Sequence, residues 1–345
     1  MHKLLKGGLA VAMLGGAWPA WADYVTVVSF GGANKDAQLE AFYKPFKAAT
    51  GNAVVRSSYN GDLAKLKQMV EISHVSWDVV EVESPELARG CAEGMFEKFD
   101  PGTLGDPADF VPGAIQPCGV GIFVWSTVLA YNADKLKGTA PATWADFWDL
   151  KKFPGKRGLR KGAKYTLEFA LMADGVAPKD VYQVLASPSG VDRAFRKLDE
   201  IKSSIVWWKA GAEPVRALAD GSVTMSSAYN GRIAAAQAEH PGLSLSWQGS
   251  IYDFDYWARP KGAWKAALAK DFIAFSVQPP QQKVFSEHIA YGPANTKAVP
   301  LLDPKIVATL PTAPQNIANA VGMDVAFWAD HGVELENRFD AWAGN

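Results

Sequence analysis

Tyr24-Val-Thr-Val-Val-Ser-Phe30, followed at once by Gly31-Gly32, reads as a strand broken by a tight turn. Leu39, Phe42, Phe46 and Ala49 then recur at helical spacing until Gly51 ends the helix, and Ala53 to Ser58 returns as a strand. A second helix from about Asp62 to Ile72 and a strand from Trp77 to Glu83 complete a βαβαβ unit. The alternation predicts an α/β protein built on a sheet. In such sheets the turn at Gly31-Gly32 lies at the carboxyl ends of the strands, where ligands bind. Glycines there let backbone amides approach a ligand oxygen, although two glycines also make an ordinary βα turn.

Further along, Gly119 to Asn132 is a long apolar strand region of the kind that passes from one sheet into another and serves as a hinge. Thr143 and Asp146 are spaced as a capping box for a helix carrying Trp144, Phe147 and Trp148, which Phe153-Pro154-Gly155 stops. A second α/β unit follows. Val191, Phe195, Leu198 and Ile201 mark a helix, and Ile205 to Trp208, Val223 to Tyr229 and Leu243 to Trp247 read as strands. Tyr252 to Arg259 is a candidate return crossing, and Asp324 to Ala343 a C-terminal helix bent near Gly332.

The chain begins with His2, Lys3 and Lys6, continues as an apolar stretch from Leu9 to Trp18, and reaches the small-residue site Ala20-Trp21-Ala22. This is the pattern of a cleaved secretory signal over residues 1–22, and it places the mature chain in the periplasm. No cysteine near the cleavage site offers a lipid anchor. Removing Lys3 and Lys6 from the 35 basic residues leaves 33 against 36 acidic ones, a net charge of about −3 that argues against a nucleic-acid partner. A mature length of about 320 residues exceeds what one core serves and predicts two lobes. In an oxidising compartment the two cysteines, Cys91 and Cys118, are expected as a disulfide, the alternative being two buried thiols. No neighbouring His or Cys gives either one the spacing of a metal site.

Common catalytic sites leave local traces, and this sequence has no G-x-S-x-G elbow, S-x-x-K, P-loop, H-E-x-x-H or C-x-x-C. His74, His240, His288 and His331 are scattered. The reading is therefore a binding protein without enzymatic activity or cofactor, with an exported enzyme built from distant residues as the competing class.

Four stretches carry a resemblance: Cys118 to Asn132; Thr143 to Trp148 with Phe153-Pro-Gly-Lys-Arg157; Ser227-Ala-Tyr-Asn-Gly-Arg232; and Tyr291-Gly-Pro-Ala-Asn295. Together they resemble the spermidine/putrescine-binding family of bacterial solute-binding proteins, a branch that includes receptors for 4-aminobutyrate (GABA), and the match runs nearly end to end. The resemblance implies the two-lobe periplasmic binding protein fold of type II, with ligand held in the cleft between lobes joined by a hinge. Its crossovers would fall near Tyr131 and Tyr256. One lobe would comprise residues 23–132 and 256–300, the other 133–255 and 301–345. It also implies a monomer that delivers its solute to an inner-membrane ABC permease, or to a sensor served by the same closure.

The same resemblance suggests residue roles. An acid that holds a ligand ammonium in polyamine binders matches Asp255. At the position of a second acid in a putrescine-binding relative this chain has Arg232, whose planar guanidinium suits a carboxylate. Arg232 with Asp255 matches a zwitterion, so a short ω-amino acid such as GABA is expected, with a polyamine as the alternative. Tyr229 with Tyr252 or Trp257 would wall the ligand, Tyr291 matches a ligand-contacting aromatic, and the wall that a tryptophan makes in polyamine binders is either missing here or supplied by Phe30. Glu83 and Glu168 fall where those proteins place a hydroxyl and a carboxylate. Other readings stay open: Arg232 paired to Asp255 or Glu168 without ligand, Tyr252 and Trp257 in the core, and Asp253 in the role of Asp255, since alternate strand residues share a face.

Overall fold

The computed structural model describes residues 23–136 and 138–344, so the expected leader, residues 1–22, lies outside the described residues. Among the described residues, eleven strands form one continuous sheet. They are β1 (Tyr24–Phe30), β2 (Ala53–Tyr59), β3 (Val79–Glu83), β4 (Ile115–Gln116), β5 (Gly119–Asn132), β6 (Arg157–Arg160), β7 (Ile205–Trp208), β8 (Met225–Tyr229), β9 (Leu243–Ala258), β10 (Gly292–Pro293) and β11 (Val321–Gly322). The order is β2-β1-β3-β9-β5-β8-β6-β7, with β4 and β10 on β5 and β11 on β9.

Read inward from either end, the sheet repeats one arrangement. Three strands run parallel, β2-β1-β3 at one end and β7-β6-β8 at the other, and each trio then meets a long strand running antiparallel to it. Those long strands, β9 and β5, pair with each other from Gly119↔Ala258 to Asn132↔Leu243, with irregularities at Gly121/Phe123 and Thr127/Leu129. This mixed sheet with its helices is the two-lobe architecture expected from the sequence.

Local chemistry accounts for the elements. The run from Ala33 to Thr50 is helical, ended by Gly51 at φ 78°, but Leu39–Tyr43 winds as a π turn. That extra residue rotates the buried face, so Phe42, Tyr43 and Phe46 are interior while Ala49 is exposed. Thr143 and Asp146 form the capping box: the Thr143 hydroxyl accepts from the Asp146 amide, and the Asp146 carboxylate accepts from the Thr143 amide at 3.1 Å. The strands expected at Leu243–Trp247 and Tyr252–Arg259 are one strand. Gly249, at φ 66°, carries β9 past the sites of Trp144 and Met172, where a Cβ would lie 2.9 Å from the Met172 sulfur. The C-terminal helix, Val325–Ala343, runs unbroken through Gly332, because glycine keeps both backbone hydrogen-bonding groups and weakens a helix interior by only about 1 kcal/mol. The helix Thr166–Ala173 and strand β6 had no legible period, since both are almost wholly buried.

Cys91 and Cys118 are bridged, with 5.8 Å between their Cα atoms, and tie the helix Ser84–Ala92 to the start of β5. Closing a 27-residue separation constrains the unfolded chain by about 3.5 kcal/mol in the chain-entropy account. The double substitution Cys91→Ser/Cys118→Ser is therefore expected to lower stability by about 3 kcal/mol. Equilibrium urea unfolding measures this, and an unchanged midpoint would remove the bridge from the stability argument.

Candidate functional site

A cavity of about 150 Å³ opens where the carboxyl ends of β1 and β3 face β5, β8 and β9. Its walls include Phe30, Gly31, Gly32, Glu83, Tyr229, Arg232, Asp255 and Tyr291, eight of the residues singled out from the sequence.

Arg232 sits in the helix Asn230–Ala236 that follows β8, and that helix is anchored at its first residue. The Asn230 side chain accepts from the Ser126 amide at 2.9 Å and donates to the Ala290 carbonyl at 2.6 Å. The Arg232 guanidinium stacks toward the Tyr229 ring, 5.8 Å from its centroid. Two glycines make room for it: a Cβ at Gly32 would lie 2.6 Å from its Nη1 and one at Gly211 2.7 Å from its Nε. Gly32 also adopts φ 68° and ψ −148°, a conformation L side chains avoid. Arg232 is 7% exposed and its Nε has no hydrogen-bond partner. Among the described residues no carboxylate makes an ion pair with it, so the ligand-free pairing with Asp255 or Glu168 is absent. A buried cation without an anion is costly, which marks it as a group awaiting one.

Asp255, 4% exposed, forms the opposite pole. It accepts from Trp125 Nε1 at 2.8 Å, and Trp125 meets Tyr229 edge to face at 4.9 Å. Burial, together with Glu81, Glu83 and Asp253, raises the Asp255 carboxyl well above the usual carboxylate range. Glu81 hydrogen-bonds Asp255 and accepts from the Phe30 amide at 3.0 Å, from Asn34 at 2.9 Å and from Gln38 at 3.0 Å. Burial raises the Glu81 carboxyl as well, and that donor set offsets part of the rise, whereas the Glu81 charge adds to the rise at Asp255. Phe30 stacks on Tyr59 at 5.3 Å, and Tyr291 on Phe123 at 4.9 Å, giving the cavity aromatic sides.

Four sequence-derived candidates lie elsewhere. Trp257 is fully buried against Phe42 and Phe272, a core position beneath the cleft. Tyr252 pairs with Gly322 of β11, away from the walls. Glu168 accepts from Trp328 Nε1 at 2.7 Å and from the Tyr182 hydroxyl at 3.1 Å, so it anchors the C-terminal helix. Asp253 accepts from the Ser84 hydroxyl and from the Phe254 amide, and Asp255 rather than Asp253 lines the cavity. The sequence reading missed Trp125, Arg160, Lys209 and Gly211 as wall residues. Trp125 stands inside the stretch that carried the family resemblance, but its direction depends on pairing with β9. No cluster of three or more His, Cys, Asp or Glu among the described residues is placed to hold a metal.

With this geometry in hand, the chain belongs to the bacterial extracellular solute-binding proteins, whose family model matches residues 41–315. It is 57% identical over 341 residues to the gamma-aminobutyric acid-binding protein of Pseudomonas aeruginosa, covering 99% of this chain and 96% of that one. It is 22% identical to the spermidine/putrescine-binding periplasmic protein of Escherichia coli over 88% of this chain and 87% of that one. Among solved structures it is similar to a GABA receptor (35% identity, TM-score 0.83, 94% and 98% coverage). A second is the binding protein AgtB of A. tumefaciens R10 in complex with agropinic acid (34%, TM-score 0.85, 93% and 98%). No helix among the described residues is long and apolar enough to cross a membrane.

Burial and the Glu83 charge push the Asp253 carboxyl up to about 8. The folded protein then holds a proton that the unfolded chain, at an ordinary pKa of about 3.9, has released. This contribution is complete below pH 4 and is lost as pH rises toward 8. Asp253→Asn is expected to flatten the fall in thermal midpoint between pH 5 and pH 8. An unaltered slope would show that Asp253 does not carry it.

Proposed function

We propose that the protein captures a short ω-amino acid, GABA or a close analogue, and hands it to an ABC permease without transforming it. The observation that carries this reading is the buried Arg232 without an anion in the same small cavity as the Trp125-bonded Asp255. Arg232 would take the ligand carboxylate as a planar pair, Asp255 its ammonium, and Tyr229, Trp125, Phe30 and Tyr291 the alkyl stem. Similarity to proteins named for GABA binding supports the same choice.

The walls come from both ends of the sheet, so a ligand touching them favours the closed state by its differential affinity. In this reading β5 and β9 are the hinge strands, and the lobes divide close to residues 23–132 with 256–300 and 133–255 with 301–345. The protein works as a monomer in the periplasm after loss of its leader, and the closed shape is what the inner-membrane permease meets. A polyamine is the second reading, favoured by Glu83 lining the cavity beside Asp255.

Titration calorimetry of the mature protein against GABA, putrescine and spermidine tests the choice, with tight binding of GABA alone expected. Preference for the diamines would return Arg232 to a structural role. Arg232→Asp should weaken GABA binding by at least about 100-fold, the scale of lost charge-assisted hydrogen bonds. Survival of GABA binding in that variant would sink the assignment.

Because an ammonium at Asp255 favours its anion, capture should release a proton at neutral pH. The apparent enthalpy should then differ between phosphate and Tris by the difference in their ionisation heats. Identical enthalpies would exclude proton release at this acid.

A further inference from the structure

Beyond the cavity wall, Glu83 is already occupied. Lys164, in the loop between β6 and the helix Thr166–Ala173, is 4% exposed. Its Nζ lies 2.6 Å from Glu83 Oε2 and 2.8 and 2.9 Å from the two Glu86 oxygens. Glu83 ends β3 and Glu86 stands in the helix that follows, so this ammonium reaches across from the β6 side of the sheet to the β3 side.

The loop is built to aim it. The Ala163 and Lys164 amides donate to the Glu336 carboxylate at 2.8 and 3.2 Å, and Tyr165 holds φ 72°, a strained value for a residue with a side chain. The Tyr165 hydroxyl donates to the same Glu83 oxygen at 3.2 Å. Burial opposes charge on Glu83, but the Lys164 and Arg160 cations outweigh it and hold the carboxyl below its ordinary range.

Three cavities meet at this point. The ligand cavity touches Glu83, a small one of about 20 Å³ lies between Glu83, Arg160 and Lys164, and a third of about 220 Å³ lies between Glu86, Lys164 and the C-terminal helix. The Lys164 side chain is a wall common to the last two. An alkyl stem ending in an ammonium is also what the far half of a linear diamine is.

We propose that Lys164 is the residue that excludes diamines: it occupies, on Glu83 and Glu86, the place a ligand's second ammonium would take. Asp255 is then the one carboxylate of the cavity open to a ligand cation, and the site accepts a single ammonium. This assignment rests on the ω-amino acid reading of the cavity. Without the Lys164 charge, Glu86 loses its ion-pair partner, Glu83 keeps only the Arg160 cation nearby, and the space beyond Glu83 opens. A chain carrying a second ammonium restores both the charge and the filling. Arg160, the last residue of β6, lines the small cavity too, but among the described residues the ion pairs to Glu83 and Glu86 are both made by Lys164.

The test is calorimetry of wild type, Lys164→Met, Lys164→Gln and Lys164→Arg with GABA and with putrescine, each variant first checked for a cooperative thermal transition. Lys164→Gln keeps a donor for the two carboxylates and stands in if Lys164→Met does not fold. Putrescine affinity is expected to rise at least about tenfold in the Met and Gln variants and to stay at the wild-type level in Lys164→Arg. Adding Glu83→Gln to Lys164→Met should abolish the gain. A wild type that binds GABA, with no putrescine gain in a folded Met or Gln variant, overturns the Lys164 assignment alone. A wild type that binds no GABA, with a putrescine gain in the variants, overturns the ω-amino acid reading and leaves Lys164 as the excluding residue.

Discussion

The antiparallel pairing of β5 with β9 is the constraint on which the rest of the molecule depends. The strands run for 14 and 16 residues, and every other strand of the sheet hangs from one of them directly or through its trio. The β2-β1-β3 trio joins through β9, and the β7-β6-β8 trio through β5. Were the pairing to slip by one residue, side chains along both strands would exchange faces. Trp125 and Asp255 stand diagonally across this pair, in the register that opposes Phe123 to Asp255 and Trp125 to Asp253. Their hydrogen bond is thus a consequence of sheet register as much as of side-chain chemistry.

Around that frame the molecule tolerates unusual buried charge. Lys164 is matched by Glu83 and Glu86, and Glu81 by a ring of amide donors, whereas Arg232 has no ion pair among the described residues. Isolating an ion from water costs several kcal/mol even after relaxation. The fold carries that cost at Arg232 because Gly32 and Gly211 provide space and Tyr229 offers a ring face, without neutralising the charge. In the proposed function a ligand carboxylate would supply what the chain withholds, and burial and affinity would be coupled at this residue.

The bulk of the fold was legible from periodicity and punctuation. β1, β2 and β3, the Thr143 capping box and the bridged Cys91–Cys118 pair follow from local pattern or compartment chemistry, which need no tertiary information. Elements buried nearly all round were not legible: Thr166–Ala173 has no amphipathic period to read, and β6 is four residues long with a buried arginine where a strand pattern leads one to expect an exposed one. The π turn at Leu39–Tyr43 likewise shifts the buried face by one residue without a sequence mark. Family resemblance reached six wall residues, with Gly31 and Gly32 read from the strand-end turn, but it also brought in Trp257, Tyr252 and Glu168, whose surroundings are a core, a place in the sheet between β5 and β11, and a helix anchor.

The sequence by itself determined the alternation of elements and the bridging of its two cysteines, whereas the choice of Arg232 and Asp255 for the two ends of a zwitterion is what the family resemblance implies. The first two depend on residue type and near neighbours along the chain. Only the tertiary structure decided that Arg232 has no acidic partner among the described residues, that Asp255 and not Asp253 lines the cavity, and that Glu83 is held by Lys164. Each of those facts is a contact between residues distant along the chain, set by strand register and by the meeting of the sheet's two ends. Local pattern carries no record of either.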